Sequence, residues 1–390
     1  MKDGGVASQL NTSGGANTYR YKSFNDRLND IKTNVPLRIV RDFDEPEENQ
    51  SYFAEGLKRQ GELNCTKDYT EFTNRVAKYQ QSLAQVLYHK EDIVSAMEEY
   101  LTMEHELVLE SMLDLVTTLA RDLQEEILPY FARLVQRIMH LIKVDSAEIV
   151  EAACNALTYL FKYLSKWLVT DLRPTFDLLK PLLGMEKQKP NVRRFAAESL
   201  AFLIRKLRAD SLQRFVAHVV ADLNGCVDIR KVDFRDGLAL LFFECMRQVN
   251  SQLHSRAAGT LTALLREMSA QQQQEETAGA LEDCAGYVLV VSVLKLCLHH
   301  VQRDTAQQLW AVLTMEFDAH MGRAQRMEPH SLVALTGLLA TATVVRKGSR
   351  VADYAGLFQR CRSTFELASE GELLAYERLR WLTALLMQCG

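Results

Sequence analysis

Proline and glycine are scarce in this chain. They number 7 and 18 in 390 residues, and Gly4, Gly5, Gly14 and Gly15 all fall in the first fifteen positions. Helices need long stretches free of both residues, and β-sandwiches, whose turns require them, lack such stretches. No five-residue run alternates apolar and polar residues between turn signals, which argues against strands. A strong charge of either sign is also missing. The net charge is −4, whereas a chain that coats nucleic acid without selectivity is usually strongly basic. No run approaches about 18 uncharged apolar residues, so no membrane-spanning helix is expected. The opening MKDGGVASQLNTSGGAN lacks the apolar segment of a secretory leader, and the Asn11 and Asn64 sequons are then chance matches. The eight cysteines, from Cys65 to Cys389, contain no C-x-x-C pair. Several sit in apolar runs, which fits small hydrophobes in a reducing compartment better than a disulfide framework.

Catalytic signatures are absent too. There is no P-loop, no G-x-G-x-x-G after a strand and no G-x-S-x-G; His105-Glu106 lacks the second histidine of a zinc-protease helix. Cys297, His299 and His300 cluster in sequence, but consecutive helical residues point about 100° apart, so the three do not easily close one tetrahedral site. Neither an enzyme, nor a cofactor or metal site, nor a small-molecule substrate is expected.

Apolar residues make up 47% of the chain, ample for a continuous core. Residues 1–17 read as a disordered tail. Residues 18–66, broken by Pro36, Pro46, Gly61 and the acidic run Asp42–Glu48, read as a short irregular arm that packs on something else. Its two ordered patches are Tyr19–Ile31 and Tyr52–Leu63. From about Asp68 the apolar residues recur every three or four positions, and helices are expected near 68–87, 91–103, 106–123, 127–143, 147–164, 167–184, 191–207, 210–223, 232–249, 255–268, 277–300, 304–320, 329–345, 350–367 and 371–388. Short polar links make neighbours antiparallel. Gln271–Gln274 with Glu275 and Glu276 reads as a mobile polar insertion.

The helix at 191–207 carries the stripe Val192, Phe195, Ala196, Leu200, Leu203 and Leu207, with Asn191 as its N-cap and its charged residues turned away. Ile149, Ala153, Leu157 and Leu160 repeat Val192, Ala196, Leu200 and Leu203 at an offset of 43 residues. The preceding helices begin alike, at Leu128-Pro129 and Arg173-Pro174. This period, paired helices and a small alanine in the stripe are marks of a HEAT-type repeat. The expected fold is all-α: a HEAT/armadillo-type α-solenoid of antiparallel helix pairs over 67–390 behind the N-terminal arm. The last expected helix, Glu372–Gln388, is too apolar for a capping repeat, so the array is expected to continue past the chain end.

Two surface features bear on function. Lys187, Lys189, Arg193, Arg194, Arg205, Lys206 and Arg208 bracket one helix. They read either as solenoid surface with interrepeat ion pairs, the weightier reading given the acidic balance, or as contacts to RNA phosphates. Arg230, Lys231 and Arg235 carry the same ambiguity. The aromatic series Tyr159, Phe161, Tyr163 and Trp167 reads as core, with base stacking as the alternative.

Several ordered motifs point further. They are Asn17-Thr18-Tyr19-Arg20 with Phe24 and Arg27-Leu28; Tyr52-Phe53 with Glu55-Gly56-Leu57; Glu62-Leu63-Asn64; and Tyr88-His89. Asp114-Leu115-Val116 with Leu119 to Gln124, Tyr159-Leu160 with Lys162-Tyr163-Leu164, and Arg194 to Ser199 running on to Arg205-Lys206 follow. Collinear to about residue 207, they resemble the N-terminal region of the processome component 20 family, very large HEAT-repeat nucleolar factors. The resemblance implies a nuclear, nucleolar, non-catalytic scaffold of the small-subunit processome. It also implies association with pre-ribosomal RNA and the box C/D small nucleolar ribonucleoprotein, a need for the protein in pre-rRNA processing, and no membrane partner. The family supplies no motif that assigns RNA contacts. A transport adaptor of the importin type is the alternative, disfavoured because such adaptors begin with repeats almost at once. A regulatory region ahead of a distant enzyme domain is a third class that these residues do not decide.

Overall fold

The computed structural model describes residues 21–33, 51–143, 146–185, 190–226, 228–248, 252–274, 284–300, 303–324, 341 and 354–367. The 1–17 tail and the expected helices at 329–345 (Thr341 aside) and 371–388 lie outside them. Among the described residues the chain is all-α, with no strand and one isolated bridge between Arg247 and Leu253. No described helix is long and apolar enough to cross a membrane. The chain divides into two compact units, Met1–Thr170 and Asp171–Gly390.

The first unit holds α1 (Phe24–Thr33), α2 (Tyr52–Leu63), α3 (Lys67–Val76), α4 (Leu83–Tyr88), α5 (Lys90–Tyr100), α6 (Glu106–Leu123), α7 (Phe131–Leu141) and α8 (Ala147–Leu168). Helices two apart pack side by side: α3 with α5, α5 with α7, and α6 with α8. The expected helix at 68–87 is broken. It passes through a 3-10 turn at Ala77–Tyr79, and Ser82 starts α4 by accepting from the Gln85 amide. The segment expected to begin a helix at Leu128-Pro129 is a 3-10 turn, Gln124–Tyr130, entered through Gln124 at a φ of 48°. Only after it does α7 begin.

The two described helices of the arm pack within this unit, α1 on α8 and α2 on α6. Phe24 and Phe53 are fully buried, and the Phe24 ring meets Phe161 edge-on at 6.3 Å. A carboxylate from α6 secures the start of α2. Asp122 accepts hydrogen bonds from the Ser51 hydroxyl at 2.6 Å, the Tyr52 amide at 3.0 Å and the Phe53 amide at 2.8 Å. A negative charge at the N-terminal end of a helix also meets the favourable end of its dipole. Asp122→Ala is therefore expected to weaken α2 by about 1–2 kcal/mol. Hydrogen exchange should show amides of Tyr52–Leu63 exchanging faster while those of α6 hold; unchanged exchange in α2 would contradict this capping role.

The second unit holds α9 (Arg173–Leu183), α10 (Pro190–Ile204), α11 (Ala209–Asn224), α12 (Asp228–Met246), α13 (Ala257–Gln274), α14 (Ala285–His300), α15 (Arg303–Ala324) and α16 (Tyr354–Leu367). Two rows interleave: α10, α12 and α14 pack in series, and so do α11, α13 and α15. This alternation is what stacked helix pairs produce, each pair burying its faces on the next. Where α12 crosses α9, a Cβ on Gly237 would sit 2.1 Å from the Leu183 carbonyl oxygen. Only glycine permits that approach.

The positions read at an offset of 43 residues are buried alike in the two helices. Ile149, Ala153, Leu157 and Leu160, and their counterparts Val192, Ala196, Leu200 and Leu203, are all buried in their own units. Two details differ. Helix α10 begins at Pro190, so Asn191 lies inside it. Gln271–Gln274, expected in a loop, complete α13, because the Gln271 side-chain oxygen accepts from the Gly286 amide at 3.0 Å and so has a place in the packing.

Candidate nucleic-acid interface

The basic set around α10 separates into distinct environments. A single apolar stripe predicts one buried face for α10, yet the helix is buried almost all round, flanked by α9 and α12. Arg193 is drawn inward and is 9% exposed. It donates to the Met185 carbonyl and lies 3.2 Å from Asp233 of α12. Arg194 donates to Glu198 at 2.8 Å, neutralising a carboxylate whose side chain is 2% exposed. Arg205 reaches the C-terminal end of α12. It donates to the carbonyls of Glu244, Cys245 at 3.3 Å and Arg247 at 2.7 Å. A guanidinium at a helix C-terminus satisfies otherwise unpaired carbonyls and complements the dipole.

Lys206 and Arg208 are different. Both are exposed. Lys206 lies 4.1 Å from the centre of the Phe202 ring, and Arg208 begins the turn into α11 with no side-chain capping bond. Lys187 and Lys189 lie outside the described residues, as do the side chains of Arg230 and Lys231, while Arg235 pairs with Asp236 at 2.8 Å. Among the described residues of the set, then, two cations face solvent and three arginines are built into the fold.

Burial shapes the titration of this region. Glu244 is raised above the usual carboxylate range by desolvation, opposed by the nearby Arg247 guanidinium. The Cys245 thiol is pushed up to about 12 by burial, and so is Cys297. His254 is lowered by burial, then by the charges of Arg205 and Arg256. Buried thiols held this far above neutral pH are not nucleophiles. Cys297 is fully buried whereas His299 and His300 are exposed with their rings edge-on at 4.8 Å, and His300 packs on Phe243 at 5.4 Å.

The aromatic series on α8 does not all lie in the core. Phe161 is fully buried, but Tyr159 and Tyr163 are half-buried and Trp167 is 40% exposed. The helical pitch explains it, for Phe161 is offset from the other three, which follow one another every four residues along one face.

One cluster escaped the sequence reading. Asp177 of α9 joins His218 and Asp222 of α11, with ligand atoms within 4.8 Å of one another. The i, i+4 spacing of His218 and Asp222 was the available signal; Asp177, remote in sequence, gave none. Lys180 lies 2.7 Å from Asp222 and already supplies a cation to this group.

Two yeast proteins are similar to this chain across much of its length. It is 30% identical over 355 residues to U3 small nucleolar RNA-associated protein 20 of Schizosaccharomyces pombe, covering 91% of this chain and 13% of that protein. The chain is homologous to U3 small nucleolar RNA-associated protein 20. The protein of that name from Saccharomyces cerevisiae is 32% identical over 285 residues, or 71% of this chain and 11% of its own length. The chain thus spans about an eighth of the length of these curated relatives. Their family is the one its motifs resemble. No protein-family pattern matches the chain. Among solved structures, an engineered protein aligns over 87% of this chain and 99% of its own at a TM-score of 0.24 and 12% identity, a likeness that bears no weight.

Proposed function

We propose that this chain is a HEAT-type segment of a non-catalytic scaffold in the small-subunit processome, required in the nucleolus for pre-rRNA processing and early small-subunit assembly. The observation that carries the reading is homology over 91% of the chain to a protein named for association with U3 small nucleolar RNA. Its partners on this reading are pre-ribosomal RNA, the box C/D small nucleolar ribonucleoprotein and other assembly proteins. The stacked helix pairs suit a scaffold, since they offer long surfaces and bury their charges on one another. Phosphate contact falls to Lys206 and Arg208, which follow α10, with Lys187 and Lys189 ahead of that helix in sequence. Arg193 and Arg205 support that edge by tying α10 to α12, while Arg194 neutralises Glu198 within α10.

Depletion of the protein in cells is expected to accumulate unprocessed precursors of the small-subunit rRNA and leave large-subunit precursors unchanged. Normal processing of both, with a nuclear cargo stranded in the cytoplasm, would instead favour a transport adaptor.

A further inference from the structure

The outer face of α8 changes character along its length. Its first half carries Glu148 and Glu151, and Arg27 of α1 pairs with Glu151 at 2.5 Å. Its second half carries Tyr159, Lys162, Tyr163, Lys166 and Trp167, at positions i, i+3, i+4, i+7 and i+8, which is one continuous helical face. No carboxylate interrupts those five positions. Exposed helix faces are normally polar, yet here the exposed Trp167 continues a row begun by two half-buried tyrosines, Tyr159 and Tyr163, whose ring centres are 6.4 Å apart.

The cations lie among the rings. The Lys162 ammonium is 5.1 Å from the centre of the Tyr163 ring, and that of Lys166 is 5.6 Å from Trp167. From α6, Arg121 lies 3.7 Å over the Tyr52 ring, and its charge acts on Tyr163. Two carboxylates act at the Tyr159 end of this face. They are Asp30 of α1 and Asp114 of α6, and Asp114 is already paired with Arg59 and hydrogen-bonded to Gln60 at 2.9 Å.

We infer that this face of α8, from Tyr159 to Trp167 with Arg121 beside it, is a stacking platform for single-stranded RNA. Cations hold the phosphates while the rings, Trp167 first among them, receive unpaired bases. Aromatic faces accept any base, so the platform would bind without a sequence motif. Duplex RNA fits poorly, because its bases are already stacked inside the helix and offer the rings nothing. An acidic peptide would match the charge of this face but bring no planar ring to Trp167. The inference rests on reading the chain as an RNA-contacting scaffold, but it places the contact on residues of the first unit rather than on the α10 set.

The test is fluorescence anisotropy of labelled oligouridine with the 390-residue chain, alongside quenching of tryptophan emission. Trp167→Ala is expected to weaken binding about tenfold and to remove most of the quenching. Trp167→Phe should retain most of the affinity, since it keeps a ring. Paired Lys162→Glu and Lys166→Glu substitutions should weaken binding and flatten its salt dependence. Three results would each overturn the proposal: equal affinity in the wild type and Trp167→Ala, duplex RNA bound as tightly as oligouridine, or polyglutamate that quenches the same tryptophan at the same concentration. Sedimentation of tagged Trp167→Ala with small-subunit precursors tests the scaffold reading separately. Oligouridine bound through Trp167 by a chain that never enters those particles would remove the scaffold reading and keep the platform.

Discussion

Gly237→Ala is expected to be among the most damaging single substitutions in the second unit, although it adds one methyl group inside a helix. Alanine favours a helix interior over glycine by about 1 kcal/mol, so propensity alone predicts a gain. Packing reverses the sign. The new Cβ would lie 2.1 Å from the Leu183 carbonyl oxygen and 2.7 Å from its carbon. These are backbone atoms of α9, which no rotamer change can move. Helix α12 would have to withdraw from α9, loosening the row it forms with α10 and α14. A loss of about 3 kcal/mol or more is expected, the upper end of overpacking costs. Gly259→Ala is the matched control: nothing lies within 4 Å of a Cβ there, and a small gain in stability is expected. Urea denaturation followed by circular dichroism compares the two. Equal midpoints for both variants would show that the α9–α12 contact is looser than described.

The second large effect is expected where α1 meets α8. The Arg27 side chain is 2% exposed and pairs with both oxygens of Glu151 at 2.5 Å, while its Nε donates to the Lys22 carbonyl at 3.1 Å. Glu151→Ala removes the carboxylate and leaves a desolvated guanidinium. Breaking a fully buried pair costs about 3–5 kcal/mol, and the third of Glu151 that is exposed lowers the expectation to about 2–3 kcal/mol. Arg27→Met in the Glu151→Ala background should recover most of that loss, because an apolar chain of similar length needs no partner. Denaturation midpoints give the total, and hydrogen exchange in Phe24–Thr33 shows whether the loss is confined to α1. A double variant no more stable than Glu151→Ala would contradict this account of the pair.

These two contacts mark how far the sequence could be read. Long, strongly periodic segments were plain. Helix α6 spans Glu106–Leu123 against an expected 106–123, and α2 spans Tyr52–Leu63 as read from its pattern. The 43-residue offset between α8 and α10 was legible because both helices bury the same four positions. Short-range irregularities were not. The break at residues 77–82 follows from a serine cap that competes with helix propagation, and apolar spacing alone runs straight through it. Long-range pairings were invisible as well. Nothing local announces that Arg193 turns inward, that Arg205 closes the end of α12, or that Arg27 finds Glu151. The sequence reading allows interrepeat ion pairs for Arg193 and Arg205 but names no acceptor, because the acceptors on α12 lie about 40 residues away, and Glu151 lies 124 residues from Arg27.

The same distinction governs any functional test. Charge reversal at Arg193 or Arg205 would disturb packing and mimic a loss of binding, whereas Lys206 and Arg208 can be reversed on the surface. The most direct measurement is therefore RNA crosslinking in cells with the tagged protein, followed by sequencing of RNA attached within residues 1–390. The account predicts crosslinks concentrated in small-subunit precursor rRNA, reduced by Lys206→Glu with Arg208→Glu while the fold is unchanged. Crosslinks absent from precursor rRNA in the wild-type protein would contradict it.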